Sequence, residues 1–263
     1  GEETLTLAYS EPHGRHEIDA IETHFEERGD EFVLHGVKRY VLDGVSADRV
    51  IVAARSKGSV GEEGIRLFVV PGDAEGLTRK RLPTLDISRN EAELIFEGVR
   101  VGRDAVVGAD LDGAALLESI LDRARAALAV EQVGGAERCL DMAVAYSLER
   151  KQFGRPIGSF QAIKHKAADM LWKVESARSI AYAANVAAAS DDGLLLRELA
   201  SSAKAYASDA YFFCASENIQ IHGGVGFTWE YDPHFYFKRA KASEELLGHA
   251  DFHRERVARA MGL

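Results

Sequence analysis

The stretch Arg150-Lys151-Gln152-Phe153-Gly154-Arg155-Pro156-Ile157-Gly158-Ser159-Phe160-Gln161 gathers cations, aromatic rings, two glycines and a proline where one helical pattern ends and the next begins. Such a corner suits an anion. A helix start offers unpaired backbone N–H groups, and Arg150 adds a fixed fork of donors matched to phosphate. The same residues also make an ordinary helix corner with a capping Gly and a Pro, so the stretch alone supports both readings.

Three other stretches carry chemistry-bearing types. Tyr9-Ser10-Glu11-Pro12 closes a strand pattern, Leu121-Asp122-Arg123-Ala124-Arg125 lies early in the first helical run, and Gln220-Ile221-His222-Gly223-Gly224-Val225-Gly226-Phe227 follows the third. Each has a structural reading as well: a turn, an i,i+3 surface pair, and a glycine helix cap.

The elements that must position them fall into two halves. From Thr4 to about Val107, short β-type runs (5–9, 31–34, 39–42, 49–54, 65–70 and 92–96) are broken by Gly-Asp, His-Gly, Asp-Gly and Pro-Gly turn formers. Closely spaced strands without intervening helices predict an antiparallel sandwich or barrel. After Gly108, apolar residues recur at helical spacing over 114–148, from Ser159 to about Ser190, over 194–221, and from Pro233 past Leu247, with a short amphipathic piece over 252–261. Asp191-Asp192-Gly193 breaks the second run from the third. The expected fold is α+β: a β domain over residues 1–108, then an antiparallel four-helix bundle over 109–263. The seam between two such modules is a natural cofactor cleft.

Composition narrows the function classes. With 263 residues and 46% hydrophobic content the chain can bury a large core, and a formal charge of −10 without a compensating basic run argues against nucleic acid. Cys139 and Cys214 sit in helical patterns and form no disulfide framework, which fits a reducing cytoplasm. No apolar run reaches the length of a membrane span. The chain opens almost directly on a strand without an initiator Met, so the expected N-terminus lies upstream.

In order and spacing, Glu149-Arg150-Lys151-Gln152-Phe153-Gly154 with Gln161, then Gln220-x-x-Gly223-Gly224-x-Gly226-Phe227, then Ala240-Lys241 resemble the acyl-CoA dehydrogenase family of flavoproteins over essentially the whole chain. The resemblance implies FAD at a subunit interface of a dimer or tetramer. Arg150, Phe153 and Gln161 match positions gripping its pyrophosphate and adenosine part. Gln220, Gly223 and Gly224 match those reaching a neighbour's FAD. Tyr9, Ser10, Val41 and Leu42 match positions beside the flavin ring, and Asp122 and Arg125 match contacts to the CoA ester. It also implies an N-terminal helical domain that the given chain lacks.

Departures concern the catalytic carboxylate. The family's base is a Glu in a Tyr-Glu-Gly-Thr motif after Ala-Lys, or a Glu on the first long helix; Leu247 and Ala124 stand at those two places. His249, following Gly248 where the family has Thr, is the candidate substitute. The family's Gly-Ser-Asp after Glu-Pro is replaced within His13-Gly14-Arg15-His16-Glu17, and Leu42 replaces a small Thr.

The implied activity is FAD-dependent α,β-dehydrogenation of an acyl-CoA thioester to 2-enoyl-CoA, with electrons passed to an electron-transfer flavoprotein. The alternatives are a base-less FAD-binding subunit whose homologous partner supplies the Glu, a flavin-free structural homologue, or an oxidase on the same fold. No metal is expected.

Overall fold

A computed structural model describes residues 1–190 and 192–263. In chain order its strands are β1 (Leu5–Ala8), β2 (His24–Arg28), β3 (Glu31–Leu42), β4 (Arg49–Ser56), β5 (Ile65–Pro71), β6 (Leu77–Arg81), β7 (Glu91–Gly102) and β8 (Val106–Val107). Then come α1 (Gly113–Glu149), a hairpin of β9 (Lys151–Gln152) and β10 (Arg155–Pro156), α2 (Gln161–Ala188), α3 (Gly193–His222), α4 (Pro233–Glu245) and α5 (Ala250–Ala260). The fold is α+β, a sheet and a helical bundle, in two compact units, Gly1–Ile120 and Leu121–Leu263.

Alternation builds the sheet. Along β7, Ala92, Leu94 and Phe96 are buried, and then the phase moves to Val99 and Val101. The shift comes from Gly98, an extra residue between the pairs Leu34↔Val99 and His35↔Glu97. Its φ of 74° is left-handed, and glycine reaches that region without strain. A second bulge falls on β3 between Lys38 and Val41, where Tyr40 takes φ 59°. Phe25, Phe32 and Phe68 pack with ring centroids 5.0–5.5 Å apart in the core. Burial of each such ring contributes about 1.5–3 kcal/mol.

The sheet departs from the expected antiparallel layout, because it is mixed. Its order is β6-β7-β3-β2-β4-β5-β8, and β4 runs parallel to both β1 and β2. β3 and β4 are neighbours in sequence but do not pair; β3 spends its edges on β2 and β7. The runs expected as separate strands at 31–34 and 39–42 are one strand, since the intervening His35-Gly36 continues the ladder to Glu97 and Phe96. β2 and β6 escape the hydrophobic pattern. β2 buries only Phe25, and β6 is a charged edge strand, the composition that keeps edges from pairing further.

In the bundle, small residues let helices approach closely: Ala126, Ala129, Ala177, Ala181, Ala184, Ala200, Ala203 and Ala207 form one core cluster from α1, α2 and α3. Asp191 of the expected break lies outside the described residues; Asp192 caps α3, its Oδ1 accepting from the Leu195 N–H at 3.0 Å. α4 ends at Glu245 rather than running past Leu247.

Candidate functional site

At the end of α1 the chain makes a two-residue hairpin. Lys151 pairs with Pro156 and Gln152 with Arg155, which leaves Phe153 (φ 52°) and Gly154 (φ 77°) as the turn. Two positive φ values in succession define the primed turn that fits a twisted hairpin, but an aromatic residue there is uncommon. Phe153 is 92% exposed at the tip. The Ile157 N–H donates to Arg150 O at 2.8 Å and closes the corner. Beside it, the Arg155 guanidinium lies 4.1 Å from the Phe160 ring. Arg150 and Gln161 are exposed, and neither side chain has a hydrogen bond or ion pair among the described residues.

The second glycine-bearing corner follows α3. His222 stacks on Tyr146 of α1 with centroids 4.2 Å apart and 22° between planes. Its Nδ1 lies 2.8 Å from Asn218 O, and since a carbonyl only accepts, Nδ1 carries the proton. Burial lowers the His222 pKa and keeps the ring neutral. Tyr146 is one turn before Arg150 and His222 immediately precedes Gly223, so this stack brings both corners to the same end of the bundle. Gly223 has φ 65°, which favours glycine. Gly224 does not have a left-handed φ, and a Cβ there would meet nothing within 4 Å. The Gln220 side chain beside them is exposed and has no hydrogen bond among the described residues.

In the sheet unit, β1 and the Tyr9-Ser10 stretch after it lie along β3, the strand that ends in Leu42. The Thr6 hydroxyl donates to Leu42 O at 2.6 Å and the Arg39 N–H to Ser10 O at 2.9 Å. Lys38 Nζ donates to Tyr9 O at 3.1 Å and to Glu11 Oε1 at 2.7 Å. Glu11 also accepts from the Glu22 and Thr23 N–H groups, so the Ser-Glu-Pro turn carries a buried, ion-paired carboxylate. Burial pushes the Glu11 carboxyl up, but Lys38 and the two N–H groups outweigh it and hold its pKa below the usual range.

The remaining candidates lie at the far end of α1. Arg125 and Asp122 are buried, with Arg125 Nη1 donating to Asp122 Oδ1 at 2.7 Å. Asp122 is not a surface partner: Arg256 Nη2 also donates to Oδ1 at 2.8 Å, and Arg197 Nε approaches Oδ2 to 3.7 Å. Arg125 Nε donates to Leu247 O at 3.3 Å, and Phe252 lies 5.7 Å from the Arg125 and Arg256 guanidinium carbons. Leu247 takes φ 62°. His249 is the N-cap of α5, its Nδ1 accepting from the Phe252 N–H at 3.2 Å. Glu244 is ion-paired with Lys241 at 2.9 Å.

Sequence reasoning missed the buried cations around this turn. Lys204 is fully buried, and its spacing from Ala200, Ser208 and Tyr211 on one helical face was the available signal. His253 is fully buried too; its pKa is pushed down to about 2, first by burial and then by Arg125, Lys204 and Arg256.

The chain belongs to the acyl-CoA dehydrogenase family: the family's middle domain matches residues 6–99 and its C-terminal domain residues 112–262. It is 40% identical over 187 residues to the acyl-CoA dehydrogenase IpdE2 of Mycolicibacterium smegmatis, covering 69% of this chain and 54% of that protein. The chain thus spans about half the length of this curated relative. A solved glutaryl-coenzyme A dehydrogenase in complex with glutaryl-CoA superposes with a TM-score of 0.91 at 30% identity, covering 97% of this chain and 65% of that one. A solved FAD-dependent dehydrogenase gives 0.93 at 28% identity, covering 98% and 70%. Among the described residues no helix is long and apolar enough to cross a membrane.

Proposed function

We propose that this chain is an FAD-binding subunit of an acyl-CoA dehydrogenase, acting in α,β-dehydrogenation of an acyl-CoA thioester to the 2-enoyl-CoA, with an electron-transfer flavoprotein as acceptor. The observation that carries this reading is the bundle end where the Arg150, Gln161 and Gln220 side chains have no hydrogen-bond or ion-pair partner among the described residues and Gly224 has open space above it. These residues fit the cofactor: an anionic pyrophosphate takes the Arg150 fork, its dinucleotide edges take the two amides, and Gly223 and Gly224 permit close backbone approach. Arg150, Phe153 and Gln161 hold the FAD of one subunit, and Gln220, Gly223 and Gly224 meet that of its neighbour. Tyr9, Ser10 and Leu42 would flank the flavin ring. FAD, when bound, supplies the hydride acceptor.

Asp122 and Arg125 shape the ester subsite from beneath the turn at Leu247, through the Leu247 carbonyl that Arg125 holds. In the same reading a β module closes as a sandwich or barrel by residue 108. Residues 109–263 form an antiparallel four-helix bundle carrying the FAD and oligomer surfaces, in a cytoplasmic homo- or hetero-oligomer.

A second reading assigns the α-proton abstraction to a homologous partner subunit. It is favoured by one observation: position 247 projects from a left-handed turn as leucine, while the adjacent Glu244 is held by Lys241 and His249 caps α5. One experiment separates them. The purified chain, alone and co-purified with a homologous dehydrogenase chain, is assayed for bound FAD and for dye reduction by acyl-CoA thioesters. Activity restricted to the mixed assembly and insensitive to His249→Ala supports the partner reading; activity of the chain alone sinks it. Absence of flavin from both preparations sinks the proposed function.

A further inference from the structure

The last turn of a helix leaves four carbonyls without intrahelical partners. At the end of α4 all four are taken. Ala242 O accepts from the Leu246 N–H and Glu245 O from the Gly248 N–H, both at 3.2 Å. The other two are taken by side chains from other helices: Gln132 Nε2 of α1 donates to Ser243 O at 3.3 Å, and Lys204 Nζ of α3 donates to Glu244 O at 3.1 Å. The grip then continues past the helix. Lys204 also donates to Gly248 O at 3.0 Å, and Leu247 O lies 3.1 Å from His253 Nε2, which must donate to it. Ser208 ties the set together, its hydroxyl accepting from Gln132 Nε2 and from Lys204 Nζ, each at 3.0 Å.

The turn these groups hold is strained. Leu247 is at φ 62°, a region that a side chain branched beyond Cβ seldom occupies. That conformation goes with three carbonyls, of residues 244, 247 and 248, engaged by donors on α1, α3 and α5. A relaxed backbone at Leu247 would reorient the peptide planes and break these bonds inside the bundle, where an unmade hydrogen bond is expensive.

We propose that Lys204, together with Gln132 and His253, is a positioning residue. It fixes the direction in which residue 247 leaves the backbone, so that Leu247 is a rigid apolar element of the acyl site. The fixing of the turn stands on the hydrogen bonds; its meaning for the acyl site rests on the function proposed above.

The test uses the full chain. Lys204→Met keeps the stem and removes the donors, and amide exchange is followed in a peptide spanning 243–250 against one spanning 233–241. We expect the turn to exchange about tenfold faster in K204M with the reference segment within about twofold, as for a local opening. Leu247→Asn, which tolerates the left-handed region, should slow exchange of the turn by about fivefold in K204M and hardly change it in the wild type. Equal acceleration of both segments, or an equal effect of L247N in both backgrounds, overturns the assignment. Should K204M not fold, Gln132→Met is judged by the same criteria with a smaller acceleration. Calorimetry with hexanoyl-CoA and with CoA alone gives the functional arm: K204M should weaken the first and leave the second. If the wild type binds neither, the acyl-CoA reading fails while the exchange experiment still decides the positioning.

Discussion

The two ends of α1 solve opposite problems. Arg125 and Arg150 are about 38 Å apart along it at the helical rise of 1.5 Å per residue. At the Arg150 end, a guanidinium, two amides and an unobstructed glycine are exposed, with no hydrogen-bond or ion-pair partner for those side chains among the described residues. At the Arg125 end, polar groups are buried and committed, with Asp122 meeting three arginines and the turn at Leu247 held by four side chains. Unclaimed donors suit a ligand that arrives from outside. Committed donors suit geometry that must not move. Substitutions at the first end should therefore change binding and spare stability, and those at the second should lower stability or loosen the turn at Leu247, reaching acyl binding only through that turn.

The largest effect is expected from Asp122→Asn. It removes the carboxylate between Arg125, Arg256 and Arg197 and leaves buried positive charge uncompensated, which costs about 3–5 kcal/mol. Urea unfolding of the chain should show the loss as a lower midpoint at unchanged slope. A midpoint within error of wild type would mean that the cluster is not the rigid end.

Next is the acid limb of stability. His253 is neutral when folded, with a pKa of about 2, whereas an unfolded histidine titrates near 6.5. Below about pH 6.5 the unfolded state therefore binds the extra proton, and stability falls as pH drops through the window from there toward 2. Between pH 6.5 and 5 this single group accounts for about 2 kcal/mol, and His222 is shifted in the same direction by burial. His253→Gln keeps a donor for Leu247 O and removes the titration, so its stability should be flatter over that range in pH-dependent melts. An unchanged slope would remove His253 from the account.

How much of this contrast was legible depends on how local its cause is. The helices and the corner at Arg150 follow from spacing, alanine content and the Gly and Pro residues at the stops. Nothing local marks Lys38, Lys204 or His253 as buried, because charged side chains are placed on the surface by default and only their phase on a helix or strand says otherwise. The mixed pairing of β4 depends on which edges remain once β3 has taken β2 and β7, a non-local choice. The end of α4 at Glu245 is likewise set by donors from three other helices; Gly248 was the only local sign of a stop.

At the open end, Arg150→Ala should weaken FAD binding by roughly tenfold, the loss of about one charge-assisted hydrogen bond, read by flavin fluorescence on dilution of the holoprotein. Arg150→Lys should fall between, because a point charge replaces a fork. The melting temperature of the FAD-free chain should not change. Destabilisation of the FAD-free R150A chain would show that Arg150 serves the fold after all, and would erase the contrast with Arg125.

The smallest effect on the fold is expected at Gly224, and it is the sharpest test. Gly223 needs to be glycine for its own φ of 65°, so a substitution there strains the backbone whatever binds. Gly224 has no such need: a Cβ there meets nothing within 4 Å. Gly224→Ala should leave the melting temperature of the FAD-free chain unchanged, or raise it slightly by restricting the unfolded state. If the space above Gly224 belongs to the dinucleotide of a neighbouring subunit, the same methyl group should lower FAD content and the fraction of assembled protein. Ordinary FAD content and assembly in G224A would place the cofactor away from this corner, and Gly224 would then be a glycine without a structural reason.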